Sequence, residues 1–143
     1  MAKEISNSDD AIDSRDVIDR IEELTDERDA FQEVIDDTDA SEEDKAEAAA
    51  RLAEWQADYG DELKALEALA AEAEGYSDDW RHGEALIRDS YFERYAEELA
   101  DDIGAVPKDV LWPLTCIDWK QAARELQMDY TQVDFDGVAY WIR

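Results

Sequence analysis

The sequence predicts a mainly α-helical protein with a small α+β part at its C-terminal end, in which an antiparallel helical hairpin is followed by helices and a β-hairpin. Two long stretches within residues 14–75 carry apolar residues at helical spacing and are joined by a short polar stretch, which predicts the helical hairpin. Most aromatic residues lie in residues 76–143, which indicates a second, aromatic-rich α+β module. Asp136-Gly137 separates two segments in which apolar and polar residues alternate. An Asp-Gly dipeptide in this position is the strongest short-range signal for a β-hairpin.

The first helix is predicted to begin near Ser14, a favourable N-cap residue, after residues 1–13, a polar stretch predicted to be a flexible tail. Its apolar residues recur at alternating steps of four and three, which is the spacing of one narrow seam along a helix. The seam consists of Val17, Ile21, Leu24, Arg28, Phe31 and Ile35. We therefore expect this face to pack against a partner helix.

The second helix is predicted to begin after Ser41, which with Asp44 resembles a capping box and follows the polar turn Asp36–Ala40. Its seam consists of Ala49, Leu52, Gln56, Tyr59, Leu63, Leu66, Ala70 and Ala73. Gly75 is expected to end the helix. Because the connection is short, the two seams are expected to face each other in a hairpin about 35 to 50 Å long at 1.5 Å per residue.

Two helices are predicted before the β-hairpin in the C-terminal module. Asp89–Ile103 has the spacing of an amphipathic helix, and Gly104 is expected to stop it. The residues expected on its buried side are Tyr91, Phe92, Tyr95, Leu99 and Ile103. Asp118 can cap a short helix that runs through Leu126.

Residues suited to catalysis or to metal binding are scarce in the sequence. His82 is the sole histidine, which excludes a two-histidine metal site, and no obvious nucleophile accompanies it. Cys116 is the sole cysteine and has apolar neighbours, which predicts a buried thiol and excludes an internal disulfide. Asp134, Asp136 and Gly137 match part of an EF-hand loop, but the ligands at both ends of that loop are missing. We therefore expect no enzyme, no metal and no cofactor.

The charge of the chain is its most unusual property. Forty-one Asp and Glu residues against fourteen Lys and Arg residues give a net charge of -27. A charge of this sign repels nucleic acid and anionic membranes and attracts basic protein surfaces. The sequence contains neither a run of 18 apolar residues nor the pattern of a signal peptide. We therefore expect a cytoplasmic protein that contacts neither nucleic acid nor membrane directly.

Acidic residues recur at steps of three and four on the outer faces of both predicted helices. They are Asp19, Glu22, Glu23, Asp26, Asp29, Glu33, Asp36 and Asp37 on the first helix and Glu47, Glu54, Asp58 and Asp61 on the second. Like charges at these steps repel each other by a few tenths of a kcal/mol, and ordinary surface helices mix both signs. The run from Asp19 to Asp37 spans about 27 Å, over which one DNA strand carries about eight phosphates. We predict that these residues bind a partner by imitating DNA in its basic groove.

Two other interpretations of the charge remain open at this stage. The whole surface can be acidic as an adaptation to high salt, because Asp outnumbers Glu and Lys is scarce beside Arg. An acidic helical adaptor or structural protein would dock on a basic partner without imitating DNA. The sequence also leaves the oligomeric state open, including a homodimer.

Four short segments in the second half of the chain carry a family resemblance. They are Gly83–Phe92, Trp112-Pro113-Leu114, Ile117–Leu126 and Asp129–Val138. From about Gly83 to Arg143 the chain resembles small acidic phage and plasmid proteins related to the ArdA-type antirestriction group. The resemblance implies an elongated DNA mimic that blocks a restriction-modification enzyme in the cytoplasm of a host cell. A CRISPR effector is a second kind of target with the same physics, because it also holds nucleic acid in a positively charged channel.

Overall fold

A computed structural model of the protein describes residues 2–143, and in these residues a β-sheet lies between a helical hairpin and a pair of short helices. The α-helices are α1 (Ser14–Asp36), α2 (Glu42–Glu74), α3 (Phe92–Asp102) and α4 (Trp119–Leu126). The strands are β1 (Ala11–Asp13), β2 (Ala85–Arg88), β3 (Thr131–Phe135) and β4 (Val138–Ile142). The predicted fold class is confirmed, because helices dominate and the chain ends in an antiparallel β-hairpin.

The sheet is larger than the predicted hairpin. Within the described residues, four antiparallel strands follow the order β1-β2-β4-β3. The turn between β3 and β4 places Asp136 at φ 49° and Gly137 at φ 83°, as a two-residue type I′ hairpin turn requires. Strand β3 lies at an edge, and the carboxylate of Glu72 in α2 accepts the Asp134 backbone N–H at 3.0 Å. This contact covers a donor that an edge strand would otherwise leave open to another chain.

The two faces of the sheet bury different sets of side chains. Leu86, Tyr140 and Ile142 point toward the helical hairpin, whereas their neighbours Ile87 and Trp141 point toward α3 and α4. This alternation follows from the two-residue side-chain period of a strand. The hairpin therefore shares its core with one face of the sheet, and the other face has a core formed by residues 76–143 alone.

The helical hairpin is antiparallel as predicted, and its seam on α1 is confirmed, since all six predicted residues are buried or partly buried. The predicted seam of α2 is wrong in its first half. Ala49, Gln56 and Tyr59 are exposed, and Ala48 and Trp55 are buried instead. A straight helix drifts by about 20° per heptad relative to a strict seven-residue repeat, so a seam extended over 25 residues loses register. Burying the large Trp55 ring then decides which face is inside.

The beginning of α1 differs from the prediction by one residue. Asp13 is the N-cap and accepts the Arg15 backbone N–H at 2.9 Å, and hydrogen bonding from the Arg15 side chain lowers the pKa of the Asp13 carboxyl. Ser14 is buried inside the first turn. Its hydroxyl accepts the Glu84 N–H at 2.7 Å, and its own N–H donates to the Glu84 carbonyl at 2.9 Å. These two bonds fasten the start of α1 to the start of β2.

The predicted flexible tail contains ordered structure. Ala11–Asp13 forms strand β1, which pairs with β2, and Ile5 and Ile12 are buried in the shared core. Met1 lies outside the described residues. Burial of two isoleucines and pairing with β2 explain why this polar stretch folds against the rest of the chain.

The C-terminal helices follow the prediction with two corrections. Gly104 stops α3 with φ 75°, and Asp118 caps α4 by accepting the Gln121 N–H at 3.1 Å. Ile103, expected on the buried side of α3, is exposed because it lies beyond the last helical residue. Cys116, expected to be buried, is exposed in the connection between α3 and α4.

Tyr140 holds the N-terminal segment against the sheet. Its ring is fully buried, and its hydroxyl donates to the Asp9 carbonyl at 2.6 Å. We expect Tyr140→Phe to lower the free energy of unfolding by about 1 kcal/mol, because the Asp9 carbonyl loses its partner. Urea unfolding followed by circular dichroism measures this change, and an unaltered midpoint would contradict it.

The same residue makes the stability of the folded protein depend on pH. Burial raises the pKa of Tyr140 to about 12, above the value of about 10 in an unfolded chain. A raised pKa favours the protonated folded form, so this stabilisation is complete below pH of about 10 and is lost as the pH rises toward 12. The loss between these values should be smaller in Tyr140→Phe than in the parent.

Candidate functional site

The helical hairpin provides a long, regular support for charged side chains. At 1.5 Å per residue, α1 is about 34 Å long and α2 about 50 Å long. Their seams fix the rotation of each helix, and each residue outside the seam follows at 100° from the previous one. The acidic residues of the two helices therefore have defined faces.

Five predicted residues form one stripe on the side of α1 that faces away from α2. We call these residues the α1 stripe: Asp19, Glu22, Asp26, Asp29 and Glu33. All five are exposed. Successive members are three or four residues apart, which places their backbone positions about 4.5 to 6 Å apart along the helix axis.

The other three residues predicted on α1 lie elsewhere. Glu23 is partly buried, accepts the Ala2 N–H at 2.8 Å and lies 3.6 Å from Arg20, so it serves the contact with the N-terminal segment. Asp36 and Asp37 are at the tip of the hairpin, where Asp37 accepts the Asp39 N–H at 2.9 Å and shapes the turn.

The four residues predicted on α2 share one exposed face. We call Glu47, Glu54, Asp58 and Asp61 the α2 row. Two contacts between the helices show which flank it occupies: Arg20 binds Glu62, and the Trp55 indole N–H donates to Glu27 at 3.1 Å. The helical repeat places the α2 row on this same flank. Glu27 and Glu62 therefore fill the space between the α1 stripe and the α2 row.

Sequence reasoning did not include Glu27 and Glu62 in the site. Both residues lie at the edge of the apolar seam of their helix. A helical-wheel projection of one helix does not show whether the partner helix covers a side chain at that position. The sequence does contain a signal for them: Glu27 borders the seam of α1 and Glu62 borders the seam of α2, and antiparallel packing of the two helices brings these two borders to the same flank. With these two residues, a band of carboxylates runs from the outer side of α1 around one flank to α2.

Few cations neutralise this band. Arg20 donates to both Glu62 oxygens at 2.9 and 3.1 Å and lies 5.8 Å from the centre of the Tyr59 ring. The hydrogen bonds to Glu62 raise the pKa of Arg20, so its charge is fixed within the hairpin. Arg28 pairs with Asp29 at 3.3 Å, and Arg51 pairs with Glu47 at 2.8 Å.

Within the α1 stripe and the α2 row, seven carboxylates have no ion pair closer than 4.0 Å among residues 2–143. They are Asp19, Glu22, Asp26 and Glu33 of the α1 stripe and Glu54, Asp58 and Asp61 of the α2 row. Neighbours of like charge on a helix repel each other by a few tenths of a kcal/mol per pair. A partner that brings Lys or Arg side chains to this band would relieve the repulsion.

A groove with a mixed apolar and charged lining lies at the tip of the hairpin. It has a volume of about 740 Å³ and is lined by residues of the two helices and their turn alone. Phe31, Val34 and Ala48 contribute apolar side chains to its lining, and the charged residues of the lining are Asp37, Asp44, Glu47 and Arg51. The groove therefore offers apolar contact next to negative charge.

Other chemical groups do not converge in the described structure. His82 and Cys116 are exposed on two different connections. Among residues 2–143, no three His, Cys, Asp or Glu side chains are arranged so that they could hold a metal ion. The helices in this part of the chain are all too short or too polar to cross a membrane.

Comparisons with family models, with curated proteins and with solved structures found no match to this chain. The resemblance to the ArdA-type group therefore stays a prediction from the sequence.

Proposed function

We propose that this protein is an anti-defence protein of a phage or mobile element. It inhibits a host enzyme that acts on nucleic acid, such as a restriction-modification enzyme or a CRISPR effector, by occupying the basic groove of that enzyme as a DNA mimic. The observation that supports the proposal best is the band of carboxylates on the helical hairpin, most of which have no ion pair closer than 4.0 Å among residues 2–143.

The spacing of the α1 stripe is close to that of a phosphate backbone. Asp19 and Glu33 are 14 residues apart, or about 21 Å along the helix. One strand of DNA carries about six phosphates over this length. Five carboxylates on the stripe approach that number, and the residues on the flank add further charge.

The support for the charges is rigid, which favours tight binding. Leu24 of α1 and Leu63 and Leu66 of α2 are buried in the core between the helices and the sheet. The backbone that carries the carboxylates therefore does not have to be ordered when the partner binds, and less conformational entropy is lost. A flexible acidic tail of equal charge would bind with a larger entropic cost.

Competition with DNA tests the proposal. Purified Type I restriction-modification enzymes and CRISPR effectors are each bound to fluorescent duplex DNA, and this protein is added at increasing concentration. We expect release of DNA from the target enzyme, and we expect the affinity to fall at least about tenfold between 50 and 200 mM salt because many charge contacts form together. A ternary complex of enzyme, DNA and this protein would contradict mimicry and would favour an acidic adaptor.

A further inference from the structure

The connection between α3 and α4 exposes large apolar side chains. We call residues 103–117 the Trp112 loop. Ile103 is 70% exposed, Leu111 75% and Trp112 79%, and Leu114 is exposed as well. A single exposed apolar residue is common on protein surfaces, but several in one short segment mark an interaction surface.

These side chains are not needed for the core beneath them. The core between the sheet and the two short helices is built from Ile87, Phe92, Ala96 and Ala123, with aromatic residues around them. None of the four exposed large apolar residues of the Trp112 loop belongs to it. Their exposure therefore has no explanation in the packing of this chain.

Part of the backbone of the Trp112 loop is folded into hydrogen-bonded turns, although its large apolar side chains are exposed. The Leu114 N–H donates to the Leu111 carbonyl at 2.8 Å, and the Cys116 N–H donates to the Pro113 carbonyl at 2.9 Å. The first bond closes a turn with Trp112 and Pro113 at its corner. A turn that is already formed spares the backbone entropy that a flexible segment would lose on binding, and Trp is among the residues most enriched in interface hot spots.

The charges around the loop indicate what kind of surface covers it. Asp101, Asp102, Asp109 and Asp118 lie in the loop or within two residues of it, against Lys108 in the loop and Lys120 as the next cation in the sequence. Two copies of the loop would bring like charges together, and an anionic membrane would be repelled in the same way. An apolar protein surface bordered by Lys and Arg has the complementary charge.

We propose that the Trp112 loop is a docking surface for a partner protein, which covers Leu111 and Trp112 with an apolar patch and places basic residues opposite the surrounding aspartates. This contact is separate from the carboxylate band on the hairpin. It does not require that the protein imitate DNA.

Two synthetic peptides test this proposal. Both are basic amphipathic peptides of equal charge, one with leucines on its apolar face and the other with serines at the same positions. Each is labelled and titrated with the parent protein, with the double variant Leu111→Ser/Trp112→Ser, and with the control variant Tyr76→Ser/Met128→Ser. The control removes two exposed apolar side chains outside the loop, where Met128 is 83% exposed.

We expect the leucine peptide to bind the parent and the control variant about tenfold more tightly than the serine peptide, because apolar burial at a hot spot contributes about that much. In the loop variant the two peptides should bind equally, since only the shared charge attraction remains. If the double variant does not fold, the single variant Trp112→Gln is titrated with the two peptides in its place.

Three results would overturn the proposal. They are equal affinity of the parent for both peptides, an advantage of the leucine peptide that survives in the loop variant, and self-association of the parent that the loop variant abolishes. The last result, measured by sedimentation equilibrium, would show that a second copy covers the loop. No defence enzyme or DNA enters this experiment, so its outcome is independent of the function proposed above.

Discussion

Leu66→Ala is expected to lower the free energy of unfolding by about 2 to 5 kcal/mol, the largest change in stability that we expect from one substitution. Leu66 is fully buried on α2, in the core that the hairpin shares with Leu86 of β2 and Tyr140 of β4. Removing three carbon atoms from the side chain leaves a void between two layers, and neither layer can close it without moving the other.

Two signals measured in the same unfolding experiment report the loss of helix and the loss of core packing. Urea unfolding is recorded by far-ultraviolet circular dichroism and by tryptophan fluorescence, since Trp55 and Trp80 are buried in the same core. Both signals should shift to lower urea by the same amount if the hairpin and the sheet unfold as one unit. Val34→Ala, at an exposed position near the tip, is the matched control and should change stability by no more than about 0.5 kcal/mol. A near-neutral Leu66→Ala, or a shift in only one signal, would show that the hairpin does not depend on this core.

The parts of the fold that the sequence predicted are those determined by local spacing. The seam of α1 and the Asp136-Gly137 turn each depend on residues close together in the chain, and both are confirmed. Strands β1 and β2 were not predicted because they have three and four residues, too few for an alternating pattern to be recognised. Their pairing joins Ile12 to Leu86, which are far apart in the sequence.

The candidate site could be predicted only as far as one helix determines it. The rotation of α1 follows from its seam, so the exposed members of the α1 stripe could be named in advance. Glu23 was also named, but it contacts the N-terminal segment through the Ala2 N–H, and nothing in the local pattern indicates that this segment folds back over α1. The membership of Glu27 and Glu62 in the band likewise depends on how α1 and α2 pack together.

Exposed apolar residues were the most difficult to predict. Ile103 fits the helical spacing of α3, and the sequence therefore places it inside, but the helix has ended where that residue occurs. The same applies to Cys116, whose apolar neighbours suggested burial. Apolar composition alone does not distinguish a residue of the core from an exposed residue of an interaction surface, because burial away from water is favourable for both.

Neutralising the α1 stripe is expected to have the largest effect on function. The variant replaces four exposed carboxylates that have no ion pair within residues 2–143, by Asp19→Asn, Glu22→Gln, Asp26→Asn and Glu33→Gln. Its net charge is four units less negative than the -27 of the parent. If each carboxylate contributes about 0.2 to 1 kcal/mol through a contact with a cation of the target, the four together contribute about 0.8 to 4 kcal/mol, and affinity should fall by about fourfold to about 1,000-fold.

The stability of the same variant should stay unchanged or rise, because repulsion between neighbours three and four residues apart is removed while size and helix are kept. The control variant loses four exposed carboxylates on the other side of the sheet, by Glu93→Gln, Glu97→Gln, Glu125→Gln and Asp129→Asn. Both variants have the same net charge, so a general effect of charge would weaken them equally. A DNA mimic requires that the stripe variant lose inhibition and displacement of DNA while the control keeps both. If the two variants inhibit alike, the position of the carboxylates on α1 does not matter, and the protein attracts its partner by net charge without imitating DNA.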